Sequence, residues 1–128
     1  MVTSARSLTM LAPLIILFLS CADESQEAER YSLDQERAAI LLMAQQSVCT
    51  GDGGCRYIAF GRKACGGPHE YFVYSTSIDT ALLQARVAEY NNREDAYNRK
   101  WNVLSDCSVP SPPDSLACIN GKCVAFWH

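Results

Sequence analysis

The chain predicts an α+β fold: a small disulfide-stapled domain with two helices, about 32–47 and 79–104, packed on a short antiparallel sheet with a C-terminal hairpin. Three observations carry this. Six cysteines, Cys49, Cys55, Cys65, Cys107, Cys118 and Cys123, spread over the C-terminal two-thirds of the 128 residues. A stripe steps by four and three through Leu83, Val87, Tyr90, Glu94, Tyr97, Trp101 and Leu104, apolar except at Glu94, which is one face of a helix. Near the end, Asn120-Gly121 separates two apolar runs, the strongest short-range hairpin signal.

From the N-terminus, residues 1–20 read as a signal peptide. Arg6 is the only charge before the apolar run 8–20. That run has h-region length and falls short of the ~20 residues that span a bilayer. Phe18-Leu19-Ser20-Cys21 resembles a relaxed bacterial lipobox: Ser20 fits the small-residue slot, while Phe18 and Leu19 depart from the strict pattern. The resemblance implies lipidation of Cys21 by a thioether-linked diacylglycerol and a palmitate-type chain on its amine. Several chains anchor far more firmly than one, since each buried CH₂ contributes ~0.8 kcal/mol. Cleavage after Ala22, giving a secreted product, is the alternative. Either route leaves an even six cysteines, which allow fifteen complete pairings.

Residues 21–31 follow as an acidic tether: Asp23, Glu24, Glu27 and Glu29 against Arg30, with no apolar period. The remaining 32–128 form one domain, a size that often needs staples. Ser32 with Gln35 fits a capping box, and Ala38 to Met43 continues a first helix to about 47. Thr50 to Gly54 is a tight loop. Arg56-Tyr57-Ile58-Ala59-Phe60 and Tyr71-Phe72-Val73-Tyr74-Ser75-Thr76 are strand candidates of high β propensity. The turn Gly61 to Pro68 joins them as an antiparallel pair. Asp79 or Ser77 caps the long helix. Its middle, Asn91 to Asp95, is polar, so Glu94 interrupts the stripe and the helix there is exposed or bent. Pro110, Pro112 and Pro113 make an extended linker to the hairpin, where Cys118 and Cys123 stand opposite each other.

The net charge is −3, and acids and bases nearly balance beyond the tether, so a basic stripe for nucleic acid is absent. The segment Cys55 to Cys65-Gly66-Gly67-Pro68, continuing through Tyr71, Val73-Tyr74-Ser75, Tyr90-Asn91, Tyr97-Asn98, Ser105-Asp106-Cys107 and Cys118 to Cys123, resembles small uncharacterised cysteine-rich bacterial exported lipoproteins. It covers most of residues 45–125. No activity is established for them, so the resemblance implies export and disulfides alone.

Candidate chemistry is sparse. Cys49, Cys55, Cys65 and His69 form a loosely spaced zinc set without any Cys-x-x-Cys, and an oxidising compartment favours disulfides over thiolates. Cys65 with His69 makes a candidate thiol nucleophile, which even pairing of six cysteines disfavours. Asp52, Glu70, Asp79 and Asp106 have no spacing that argues for a carboxylate pair. No nucleophile elbow, phosphate loop or dinucleotide fingerprint appears, so no catalytic residue, metal or cofactor is assigned. The loop 61–70, braced by Cys65, is the feature suited to recognition, with Arg62, Lys63 and His69 as the partner contacts. The expected function is an envelope-anchored lipoprotein, on the outer membrane if the host has one, acting as a binding or structural module. Its partners are the membrane, through the lipid, and an envelope protein or cell-wall component. A protease inhibitor presenting the loop and a small envelope enzyme are the alternatives.

Overall fold

The computed structural model describes residues 21–128. The expected signal segment lies outside them, as does any account of the Cys21 side chain. Two helices and two antiparallel strand pairs form a small α+β domain: α1 (Cys21–Gln45), β1 (Cys55–Phe60), β2 (Glu70–Ser75), α2 (Thr80–Lys100), β3 (Ser115–Ile119) and β4 (Lys122–Phe126). None of the described helices is long and apolar enough to cross a membrane.

The core is where the two helices meet one face of the β1–β2 pair. The register aligns Ile58 with Phe72 and Phe60 with Glu70, so Ile58, Phe60, Phe72 and Tyr74 share a face. Phe60 is fully buried and stacks on Phe72 at 4.3 Å and on Tyr90 at 4.6 Å. Leu33, Ile40 and Ala44 come from α1, and Leu83, Val87, Tyr90 and Tyr97 from α2. Each set repeats at helical spacing, so each helix buries one stripe. Arg37 of α1 lies 5.3 Å from the Phe60 ring centroid and pairs with Glu70, closing the sheet end against α1.

Helix α1 begins well before Ser32. Ser32 is not a cap: its hydroxyl accepts from Arg93 Nη2 at 2.9 Å. The stretch 21–31, expected to be a tether, is helical, and two of its charged residues, Glu29 and Arg30, find partners at α2. Glu29 binds Lys100 and accepts from Trp101 Nε1 at 2.9 Å. The Lys100 and Trp101 hydrogen bonds hold its carboxyl below the usual value. Arg30 pairs with Asp34 at 2.6 Å and reaches Glu94 at 3.4 Å.

Asp79 is the N-cap of α2, its carboxylate accepting from the Leu82 N–H at 2.9 Å, a contact that typically contributes ~1 kcal/mol. The helix ends at Lys100, short of the expected 104. Asn102 adopts φ 50° and the Val103 N–H donates to the Asn98 carbonyl, which is a Schellman stop. Leu104, counted in the sequence stripe, is consequently 93% exposed.

In the hairpin, Asn120 and Gly121 both have positive φ, 51° and 75°, as a two-residue type I′ turn requires. Cys118 and Cys123 are opposite each other as the register implies, yet do not bond together. Cys118 joins Cys49 and Cys123 joins Cys55. The two side chains leave the same face of the hairpin and both meet the segment that enters β1. The third bridge joins Cys65 to Cys107.

Candidate functional site

The loop 61–70 docks on α2 through a row of polar side chains. Asn91 Oδ1 accepts from the Gly61 N–H at 2.8 Å, Glu94 Oε2 from the Arg62 N–H at 2.6 Å, and Asn98 Nδ2 donates to the Arg62 carbonyl at 2.6 Å. These residues follow i, i+3, i+7 spacing and occupy one helix face. In the polar middle of α2, Asn91 and Glu94 therefore face the loop as a docking stripe with Asn98, while Asn92 and Arg93 are exposed. Glu94 does not break the buried face: it is 3% exposed and sits in it.

Glu94 is the hub. Besides the Arg62 N–H, its carboxylate accepts from Tyr90 Oη at 3.3 Å, lies 3.4 Å from Arg30 Nη1, and has His69 Nε2 at 3.5 Å. Burial, then the negative charge of Glu94, pushes the Tyr90 phenol up to about 12, so the hydroxyl stays protonated and donates. A buried carboxylate is tolerated only when its oxygens are satisfied, and here partners come from α1, α2 and the loop. Gly61 is required beside it: its φ is +82°, and a Cβ there would meet His69 Cδ2 at 2.5 Å.

The outer half of the loop is held differently. Lys63, expected as a partner contact, is buried; its ammonium donates to Asp106 Oδ1 at 2.7 Å, to the Ser108 carbonyl and to Ser108 Oγ at 3.2 Å. All three donors are used, so Lys63 braces the loop alongside the Cys65–Cys107 bridge instead of meeting a partner. Arg62 and His69 remain available, with side chains 50% and 41% exposed.

The Lys63 hydrogen bond, followed by that from Ser108, depresses the Asp106 carboxyl to about 2. A depressed carboxyl contributes stability that is present above its unfolded value near 4 and lost as pH falls through the folded value. Urea midpoints measured from pH 5 to pH 2 should therefore fall less for Asp106→Asn than for the native chain. Parallel curves would show that the pair contributes nothing.

Arg62 also lines a polar groove of about 260 Å³ with Ala59, Gly61, Pro68, Asn91, Asn92 and Asp95. Arg62 Nε stands 3.8 Å from Asp95 Oδ1 across it, and Asp95 Oδ2 accepts from Arg99 at 2.8 Å.

The other candidate sets are not assembled. Cys49, Cys55 and Cys65 are all oxidised, and Cys65 bonds Cys107, so in this state they offer neither zinc thiolates nor a nucleophile. The sulfurs of Cys49, Cys55 and Cys123 lie within 4.8 Å of one another because two bridges sit side by side. Glu70 is paired with Arg37, Asp79 caps the N-terminus of α2, and Asp106 is paired with Lys63.

No protein-family model, no curated protein and no solved structure matches this chain.

Proposed function

We propose that the chain is an exported, envelope-anchored binding module, tethered through lipid on Cys21 and recognising an envelope protein or cell-wall component with the 61–70 face. One observation carries this reading: the loop is fixed before any partner arrives. Its backbone is bonded to Asn91, Glu94 and Asn98, its Lys63 is tied to Asp106, and Cys65 is bridged to Cys107. A loop immobilised in advance loses little conformational entropy on binding. What it presents is Arg62 and His69.

The inhibitor alternative fits less well. A substrate-like inhibitory loop offers its backbone to the protease, whereas both the N–H and the carbonyl of Arg62 are spent on α2. Lys63 is buried as well.

Two measurements test the proposal. Intact mass of the protein from its host membrane should show loss of residues 1–20 and the added mass of diacylglycerol and an acyl chain on Cys21; an unmodified mass ends the anchoring claim. A soluble domain beginning at residue 22 should sediment with isolated cell envelopes, and Arg62→Ala with His69→Ala should reduce that at least tenfold. Equal sedimentation of the two proteins would refute the assigned face.

A further inference from the structure

We infer that the groove between β1 and α2 binds a neutral polyhydroxylated ligand, a saccharide unit, an inference that rests on the binding-module reading and gives it a ligand class. Asn91 is committed to the Gly61 N–H and to the Ala59 carbonyl. Asn92 is exposed, and its amide makes no hydrogen bond among the described residues, which leaves a donor and an acceptor at the rim. Arg62 Nε forms an ion pair with Asp95 Oδ1 at 3.8 Å, too long for a hydrogen bond, so the hydrogen-bonding capacity of the Arg62 terminal nitrogens and of Asp95 Oδ1 is not taken up.

The groove thus offers a cation, an anion and an amide within one small polar space. An anionic ligand meets Asp95, and a cationic ligand meets Arg62 and Arg99. An apolar ligand would leave three polar groups desolvated without partners, which is costly. Adjacent hydroxyls satisfy all of them, because each hydroxyl both donates and accepts. A carboxylate takes two O–H donors, while a guanidinium and an amide give N–H to the oxygen lone pairs.

The volume, about 260 Å³, is below the ~300–1,000 Å³ of pockets for drug-sized ligands, so a single ring is the suitable occupant. The neighbouring surface extends the site. Tyr71 is directly opposite Ala59, and Tyr57 shares that outer face. Their rings form an edge-to-face pair at 5.7 Å, and Tyr57 is 44% exposed. A half-exposed amphipathic ring two residues from Ala59 suits the C–H face of a second sugar ring, so the site suits a glycan strand rather than a free monosaccharide.

The test is a ¹⁵N–¹H NMR titration of the oxidised domain with chitotetraose, maltotetraose and, as charged controls, tetra-aspartate and tetra-lysine. A neutral tetrasaccharide should shift the amides of Arg62, Asn92 and Asp95 and the side-chain amide of Asn92. Asn92→Ala and Asp95→Asn should each weaken that binding at least tenfold while leaving the remaining spectrum native. The inference is overturned if neither tetrasaccharide shifts these amides at millimolar concentration, if the peptides shift them instead, or if the two variants bind the sugar like the native domain. Should the sugars fail while the domain still sediments with envelopes through Arg62 and His69, the ligand class is wrong and the binding module stands. Failure of both measurements removes both readings.

Discussion

Complete reduction should unfold the domain near 37 °C, and it should do so in two stages. Cys65 and Cys107 are exposed, whereas Cys49 and Cys55 are buried, 4% and 3% exposed. A mild dithiol reductant should open Cys65–Cys107 first, since access governs exchange. That step frees the tip of a loop still bonded to α2, so circular dichroism should change little. The other two bridges span 69 and 68 residues. In the chain-entropy account each restricts the unfolded state by ~4 kcal/mol, against a total stability of ~5–15 kcal/mol. Together they hold a two-stranded hairpin, an element marginal by itself in water. Thermal melts with and without reductant, paired with counts of free thiols, check this. A melting curve unmoved by full reduction would refute it.

Glu94→Ala should be the most damaging single substitution in the loop site. It leaves the Arg62 N–H and the buried Tyr90 hydroxyl without their acceptor, and Arg30 with Asp34 alone. Removing one member of a buried charged network typically costs ~3–5 kcal/mol. At ~4–8 °C per kcal/mol for a domain of this size, the melting temperature should fall by more than ~12 °C. Hydrogen exchange at the Arg62 amide should rise beyond the change in global stability, because that amide loses its own partner. Glu94→Gln, which keeps the shape and one acceptor oxygen, should cost clearly less. A loss below ~1 kcal/mol for Glu94→Ala would show that Glu94 is not the hub.

What the sequence disclosed depends on whether the deciding contact was local. The apolar repeat Leu83, Val87, Tyr90 and Tyr97 needs only helix geometry to be read, and the Asn120-Gly121 hairpin only turn geometry; both are present. Glu94 looked like a break in that repeat because a carboxylate on a buried stripe makes sense only once the Arg62 N–H, 32 residues away, is known to face it. The signal was present all the same: Asn91, Glu94 and Asn98 already stood at helical spacing. Lys63 read as a presented cation for a similar reason. Its partners Asp106 and Ser108 lie 43 and 45 residues on, brought near by a bridge whose pairing no spacing fixes. Residues 21–31 read as a tether because their partners, Glu94, Lys100 and Trp101, are more than sixty residues downstream.

The bridges to Cys118 and Cys123 impose an order on biosynthesis. A chain that emerges N-terminus first exposes Cys49 and Cys55, six positions apart, long before their proper partners exist. In an oxidant-rich setting they are each other's nearest thiol, and a pairing between them must later be undone, a reshuffling that takes seconds to hours without help. Only Cys65–Cys107 is attainable before the last strands arrive. The domain is thus locked by the β3–β4 hairpin, and a nascent chain truncated before Cys118 would lack both of its bridges to Cys49 and Cys55.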